Sequence, residues 1–127
     1  MDVSVQERIS ELRERLSALL SKSPLAASTI PKDKALHRSP AVYLISTPDD
    51  SERVYVGRTK TLSIAGRIQD HLHNNTSSDL MVMVRNHKNY PQNPGNYLVR
   101  YIEVESNRDR MLLESYFIGV LDPSFNK

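Results

Sequence analysis

The sequence contains no cysteine, which excludes disulfide bonds and metal sites built from cysteine. It also has no apolar run near the ~20 residues that a membrane-spanning helix needs, so a membrane protein is not predicted. Its first residues, MDVSVQERISELRERL, are too charged for a secretory signal. The chain of 127 residues has the size of one domain, and we expect a cytoplasmic protein.

A strong excess of positive charge is also missing, because the net charge is only +2. Composition alone therefore does not identify a nucleic-acid-binding protein. The local distribution says more, since residues 53–78 hold four basic side chains and one acid, Asp70. A cluster of basic side chains favours contact with a phosphate group, although it is also typical of an ordinary solvated surface. The basic residues are Arg53, Arg58, Lys60 and Arg67.

Hydrophobic spacing predicts a mixture of helices and strands. The predicted fold class is α/β (α+β), with a small, largely antiparallel, three-stranded central sheet flanked by helices and an extra N-terminal helix. The apolar run at 77–88 begins with residues able to cap a helix, but its period fits either a helix or a strand. The other predicted helices are 4–21, 61–75 and 106–121, and the predicted strands are 42–46, 53–57 and 97–105.

The N-terminal region, residues 1–39, is predicted to be a helix followed by a linker or wrapping segment, and residues 40–127 hold the sheet. Apolar residues recur along the helix at steps of three and four, so they form a stripe that must be buried. The stripe either packs on the sheet of the same chain or pairs with a second copy in a homodimer. A structural protein assembled through this helix is a further alternative. The stripe consists of Val5, Ile9, Leu12, Leu16 and Leu19.

Two tyrosines occupy equivalent places on the two strands of the predicted hairpin. Tyr43 ends the tripeptide AVY, and Tyr55 begins the tripeptide YVG. Gly57 closes the second strand, and Arg58 follows directly. Tyrosine is common in strands, so the pair alone does not indicate a function.

Four further polar residues are not explained by packing. Arg67 and His71 are four residues apart on a predicted helix and therefore share a face. Glu114 interrupts the apolar helix MLLESYFIGVL, and Asn126 lies in the tail. Each also fits an ordinary role, as an exposed helix face, a boundary carboxylate or a turn cap. Together they match phosphodiester hydrolysis, which uses a carboxylate for a hard cation, an arginine for phosphoryl charge and a proton acceptor.

The order of these residues resembles the GIY-YIG nuclease domain, a family of metal-dependent DNA endonucleases. AVY and YVG correspond to the two motifs that name the family, with alanine and valine replacing glycine and isoleucine in the first. GRIQDH carries the arginine and histidine of the family pattern, a little later than is usual, and ESYFIGVLDPSFN carries its glutamate and asparagine. The resemblance covers roughly residues 40–127. The matching residues are Tyr43, Tyr55, Gly57, Arg67, His71, Glu114 and Asn126.

The resemblance implies a catalytic role for five side chains. Glu114 would bind one divalent cation, Mg²⁺ or Mn²⁺, and Arg67 would contact the scissile phosphate. Tyr43 and Tyr55 would line the site, where one of them orients or deprotonates the attacking water. His71 would accept the proton directly or through a tyrosine, because histidine normally titrates near pH ~6.5 and a phenol only near ~10.

The substrate implied by the resemblance is DNA, in a duplex, single-stranded or branched form that the sequence does not decide. Gly57, Arg58 and Lys60 are predicted to lie against it, and Asn126 is expected to hold the site together. The leading hypothesis is a metal-dependent DNA endonuclease with a single active site. The alternative is a non-catalytic module on the same fold that binds nucleic acid or a protein partner.

Overall fold

The computed structural model of the chain describes residues 3–126. No helix within that range is both long and apolar enough to cross a membrane. The helices of the described chain are α1 (Val3–Leu20), α2 (Ile64–His73), α3 (Leu80–Asn86) and α4 (Asn107–Leu121), and its strands are β1 (Leu25–Ala26), β2 (Ala41–Ser46), β3 (Arg53–Arg58) and β4 (Leu98–Glu103). Short 3₁₀ segments are Ala27–Lys32, Lys34–Arg38 and Pro94–Asn96.

The four strands form one antiparallel sheet in the order β1-β4-β2-β3. The central strand β2 is buried along its whole length, whereas β3 lies at the sheet edge. The predicted α/β class with a largely antiparallel sheet is confirmed, but the predicted number of strands is one too few. The additional strand, Leu25–Ala26, has only two residues, so side-chain alternation has no room to reveal it.

The register of the β2–β3 hairpin places the two tyrosines on one face of the sheet. Tyr43 lies opposite Gly57, and Ile45 lies opposite Tyr55. Because side chains alternate along a strand, these four residues point to the same side. The register shifts only beyond Ile45, so the irregular end of the hairpin does not disturb the tyrosine pair.

Apolar clusters cover both faces of the sheet. The first cluster joins α2 and α3 to the face that carries Tyr43 and Ile45. It includes Ala27, Ile30 and Leu36, so the segment predicted as a linker wraps around the core instead of spanning open solvent. The second cluster joins α1 and α4 to the opposite face. Its buried members are Leu19, Val42, Leu44, Val56, Ile102, Val104, Leu113 and Phe117.

Helix α1 packs on the second cluster through its C-terminal half. Leu19 is fully buried, and Leu12 and Leu16 are partly buried against the same cluster. Ile9 and Val5, by contrast, are 44% and 49% exposed. The predicted stripe is therefore covered by the chain's own sheet at one end only, and burial of the other end against a second copy stays a prediction.

Capping residues fix the helices that carry the candidate site. Ser63 caps α2 by accepting a hydrogen bond from the amide of Gly66. Ser106 caps α4 by accepting a hydrogen bond from the amide of Asp109. The ambiguous apolar run at 77–88 forms helix α3.

Candidate active site

The candidate site lies at the β3 edge of the sheet, where helices from both faces reach the same strand. α2 packs on the face that carries Tyr55, and α4 packs on the face that carries Val56. A pocket of about 340 Å³ opens between these helices. It brings together five of the predicted site residues, which are far apart in the sequence. The pocket is lined by Tyr55, Arg58, Lys60, Thr61, Leu62, Arg67, Asp70, Ser78 and Glu114.

A buried arginine on α4 attaches that helix to the end of β3. Arg110 is only 5% exposed and donates from Nε to the carbonyl of Thr59 at 3.0 Å and from Nη1 to the carbonyl of Val104 at 2.7 Å. Glu114 follows one helical turn later on the same face. It accepts a hydrogen bond from Arg58 Nε, with 3.1 Å between Nε and Oε1. The attachment therefore fixes Glu114 beside the mouth of the pocket.

The two phenols have different surroundings. Tyr43 is fully buried, whereas Tyr55 is partly buried and lines the pocket. Their ring centroids are 6.2 Å apart. Tyr55 therefore reaches the pocket and Tyr43 lies behind it, while a role for both phenols in the site stays a prediction.

Gly57 makes room for both rings. A Cβ atom at this position would lie 2.5 Å from Oη of Tyr43 and 2.8 Å from Cε2 of Tyr55, which is far inside van der Waals contact. Gly57 itself is buried. Gly57 therefore lies beneath the tyrosines and not on the pocket wall, and its contact with substrate stays a prediction.

His71 stands behind Tyr43 in a fixed tautomer. The ring is fully buried, and its Nδ1 accepts a hydrogen bond from the amide of Leu80 at 2.9 Å. A neutral imidazole has one protonated nitrogen, so the proton must be on Nε2. Nε2 lies 2.8 Å from Oη of Tyr43, and it therefore donates to the phenol.

Burial also keeps His71 uncharged. It lowers the pKa of the ring from 6.5 to about 3, and the positive charge of Arg67 acts in the same direction. The ring therefore does not titrate near neutral pH. This burial and the fixed tautomer oppose direct proton transfer from water to His71, while action through Tyr43 stays a prediction.

Burial has the opposite effect on the phenols. It raises the pKa of both Tyr43 and Tyr55, while the nearby Arg67 guanidinium lowers it. The net pKa of each phenol is higher than that of a free tyrosine. Arg67 is therefore the group that favours a phenolate at this site.

Arg67 is held by the segment that follows α2. Its Nη1 donates to Oδ1 of Asp79 at 2.6 Å, and its Nη2 donates to the carbonyl of Ser78 at 3.1 Å. Asp70 lies farther away, with 4.0 Å between its Oδ2 and Nη1. The sequence did not identify Asp79, because its place before an apolar run indicates only a helix cap.

Asn126 contacts the backbone of β3 instead of the pocket. Its Oδ1 accepts from the amide of Val56 at 2.7 Å, and its Nδ2 donates to the carbonyl of Val56 at 2.9 Å. The amide of Phe125 also donates to the carbonyl of Val54 at 2.7 Å. The tail thus covers the open edge of β3, and a role of Asn126 in holding the site together stays a prediction.

The pocket has two carboxylates, Asp70 and Glu114, and Glu114 is the one predicted to bind a divalent cation. Within residues 3–126, no group of three or more His, Cys, Asp or Glu side chains is arranged to hold a metal ion. Hard cations such as Mg²⁺ often bind proteins through one or two carboxylates and keep several waters, so the side chain of Glu114 in an open pocket fits their chemistry. Arg58 and such a cation would compete for the same side chain.

Comparisons with known proteins agree with the fold of the chain. No family model and no curated protein matches the sequence. Among solved structures, the chain is similar to the GIY-YIG N-terminal endonuclease domain of UvrC from Thermotoga maritima bound to magnesium, with 20% identity and a TM-score of 0.51 over 76% of this chain and 96% of that chain. A point mutant of the same domain, bound to the catalytic divalent cation, gives 19% identity and a TM-score of 0.52 over 76% of this chain and 94% of that chain. The chain therefore has a GIY-YIG-like fold.

Proposed function

We propose that the chain is a divalent-cation-dependent DNA endonuclease that hydrolyses a phosphodiester bond in the pocket at the β3 edge. The observation that carries this proposal is the convergence of Tyr55, Arg67 and Glu114 on one open pocket. They come from a strand and from helices on opposite faces of the sheet, so core packing alone does not require them to meet. The UvrC domain with a similar fold is an endonuclease domain with a catalytic divalent cation.

Arg67 is proposed to bind the scissile phosphate. Its pKa is raised above the usual arginine value, because the neighbouring Asp79 and the phenols outweigh the effect of burial, so the guanidinium stays charged. A fixed positive charge stabilises the negative charge that develops on phosphoryl oxygens during displacement. Arg58 and Lys60 line the same pocket and would contact phosphates on either side of the cleaved bond.

Tyr55 is proposed to orient the attacking water and to accept its proton. It is the phenol that reaches the pocket. A phenol accepts a proton only as the phenolate, which burial opposes and Arg67 favours. Tyr43 and His71 support it from behind, since the His71 ring packs edge-on against Tyr55 with 5.3 Å between the centroids.

Glu114 is proposed to hold one Mg²⁺ or Mn²⁺ ion. When bound, such an ion supplies Lewis-acid stabilisation of a phosphate oxygen. Glu114 would have to share or release its hydrogen bond with Arg58, which uses one carboxylate oxygen, Oε1. Arg58 would then be available to the substrate.

The second candidate function is a module that binds nucleic acid without cutting it. The Arg58–Glu114 ion pair favours this alternative, because it already neutralises the carboxylate without a metal. In that case, the remaining positive charge of Arg67 and Lys60 would bind phosphate groups, and the pocket would contribute only to affinity.

The test is incubation of the protein with Mg²⁺ and labelled duplex, single-stranded and branched DNA side by side, with binding measured on the same substrates. The key variant is Glu114→Gln, which keeps the shape of the side chain and removes its charge. Glu105→Gln is the matched control, because Glu105 is exposed and does not line the pocket. Cation binding is measured separately by calorimetry.

We expect cleavage by the wild-type chain and by Glu105→Gln. Glu114→Gln should bind DNA, fail to cut it and bind the cation more weakly. Cutting at the wild-type rate by Glu114→Gln would contradict the assignment of the cation site. Binding without cutting by the wild-type chain on all three substrates would favour the non-catalytic alternative.

A further inference from the structure

The segment that follows α2 contacts both functional side chains of that helix. The carboxylate of Asp79 and the carbonyl of Ser78 each accept a hydrogen bond from Arg67. The next amide, that of Leu80, donates to His71. One short stretch of chain therefore sets the orientation of two side chains that stand one helical turn apart.

Asp79 is a rigid partner for Arg67. Its side chain is buried, and its two oxygens have separate partners. Oδ1 accepts from Arg67, while Oδ2 accepts from the amide of Thr76 at 3.2 Å and from the Thr76 hydroxyl. The Asp79 amide donates back to the carbonyl of Thr76 at 3.0 Å. These bonds fix the carboxylate before any substrate arrives.

A structural role as a helix cap does not account for this carboxylate. Asp79 occupies the N-cap position of α3, where an aspartate usually accepts a hydrogen bond from an amide in the first turn. Here the side chain makes no capping hydrogen bond. Its oxygens accept hydrogen bonds from Arg67 and Thr76 instead. The usual stabilisation of the helix end is therefore replaced by a contact with Arg67, which lines the pocket.

We propose that Asp79 is a positioning residue that fixes the guanidinium plane of Arg67 for the scissile phosphate. This inference rests on the proposed function, in which Arg67 binds that phosphate. Asp79 and Ser78 hold the two terminal nitrogens of the guanidinium, so both its position and its plane are set in advance. Orientation of this kind lowers the barrier because the ordering is complete before the reaction begins.

The same contact has opposite effects on cleavage and on DNA binding. The negative charge of Asp79 reduces the net positive charge that faces a phosphate, and it therefore weakens simple binding of DNA. Removing the charge should loosen Arg67 and at the same time make the pocket more positive. Slower cleavage without weaker DNA binding would therefore indicate loss of positioning, because general structural damage would weaken binding and cleavage together.

The experiment compares Asp79→Asn with the wild-type chain in Mg²⁺, measuring DNA affinity and the single-turnover cleavage rate. We expect a fall in the rate of about tenfold or more, with DNA affinity unchanged or tighter. Asp50→Asn is the matched control, because Asp50 forms an equally short 2.6 Å ion pair with Arg100, and neither residue lines the pocket. It should leave both quantities unchanged.

A double-mutant cycle tests whether Asp79 acts through Arg67. Asp79→Asn should lower the rate of the wild-type chain and have no further effect in an Arg67→Ala background. An equal fall in both backgrounds, or a parallel loss of affinity and rate, would overturn the proposal. If Asp79→Asn does not fold, Thr76→Val takes its place, since it removes the hydroxyl that holds Oδ2. The same non-additivity with Arg67→Ala is then expected.

A second readout does not depend on cleavage. Nitrogen-detected NMR of arginine side chains reports hindered rotation of a guanidinium that is held at both ends, and Arg67→Lys assigns the signal. Slow rotation in the wild-type chain and fast rotation in Asp79→Asn are expected. If the wild-type chain cuts no DNA, the proposed function fails, while this measurement still decides whether Asp79 orients Arg67. Fast rotation in the wild-type chain would refute that orientation.

Discussion

Tyr43 and His71 are hydrogen-bonded to each other in the protein interior, with 2.8 Å between Oη and Nε2. Because the amide of Leu80 takes the Nδ1 lone pair, His71 is the donor in this pair. In this tautomer, donation from His71 to Tyr43 would stabilise negative charge on that phenol. The pair lies behind Tyr55, which is the phenol that lines the pocket, and this placement is the basis of the proposal that Tyr55 contacts the attacking water.

The buried, neutral His71 should make the fold sensitive to acid. Its pKa is about 3 in the native state against 6.5 for a free histidine. Between these values the unfolded chain binds one proton more than the native chain, so stability is lost as the pH falls, at about 1.4 kcal/mol per pH unit. His71→Gln removes this titration. The difference in unfolding free energy between the wild-type chain and His71→Gln should therefore shrink as the pH is lowered.

Urea unfolding of both proteins at a series of pH values from about 7.5 to 4.5 measures this difference. Acidic side chains destabilise both proteins alike at low pH and cancel in the comparison. A difference that stays constant across the series would show that His71 is protonated in the native state and that its burial does not exclude the charge.

Removal of the two phenol hydroxyls should have different effects. Tyr43→Phe leaves the buried Nε2–H of His71 without its acceptor, which should cost about 1–3 kcal/mol of stability. Tyr55→Phe removes a hydroxyl from the pocket wall, so stability should change little while cleavage is lost. Tyr116→Phe is the control, since Tyr116 is partly buried away from the pocket, and it should change neither. Thermal unfolding and single-turnover cleavage of the three variants give the comparison.

The reverse pattern would exchange the two roles. If Tyr43→Phe abolishes cleavage at unchanged stability while Tyr55→Phe cuts normally, the buried phenol must become accessible during the reaction. The assignment of Tyr55 as the group next to the attacking water would then be wrong.

The sequence predicted the positions of the site residues better than their surroundings. Helical spacing is sufficient to pair Arg67 with His71. A common site for Tyr43 and Tyr55 was implied by the family resemblance, and the register that puts both on one face is a property of the folded hairpin. Burial of His71 depends on how α3 folds back on α2, which no local pattern encodes. The role of Asp79 was missed for the same reason, because its local context predicts a cap, and only the tertiary fold brings Arg67 within reach.

Gly57→Ala should damage the site through steric overlap. The added Cβ would lie 2.5 Å from Oη of Tyr43, and that phenol is fully buried and hydrogen-bonded to His71. Overpacking of this kind costs about 1–3 kcal/mol. We therefore expect lower stability and loss of cleavage, measured by urea unfolding and a cleavage assay.

Gly119→Ala is the matched control for this substitution. Gly119 lies within α4, and nothing approaches within 4 Å of an added Cβ there. Alanine is favoured over glycine inside a helix by roughly 0.5–1 kcal/mol, so this variant should be more stable than the wild-type chain and cleave normally. Wild-type stability of Gly57→Ala would mean that the tyrosine pair has room to shift.

Helix α1 provides the last prediction, because its two halves have different surroundings. Leu19 is fully buried in the second cluster, whereas Ile9 is 44% exposed. Leu19→Ala should therefore cost about 2–5 kcal/mol of unfolding free energy. Ile9→Ala should cost little unfolding free energy in a monomer, because the Ile9 side chain is largely exposed and truncation removes little buried apolar surface. If two copies bury the exposed half of α1 between them, Ile9→Ala would instead lower the mass in solution.

Light scattering at several protein concentrations separates these cases, with unfolding measured on the same samples. A concentration-dependent mass that falls in Ile9→Ala and persists in Met111→Ala would assign self-association to α1. Met111 is a suitable control because it is an equally exposed apolar residue on α4. A wild-type mass of one chain at every concentration would rule out the homodimer and leave the exposed half of α1 without a role in self-association. Loss of less than about 1 kcal/mol in Leu19→Ala would contradict the packing of α1 on the sheet.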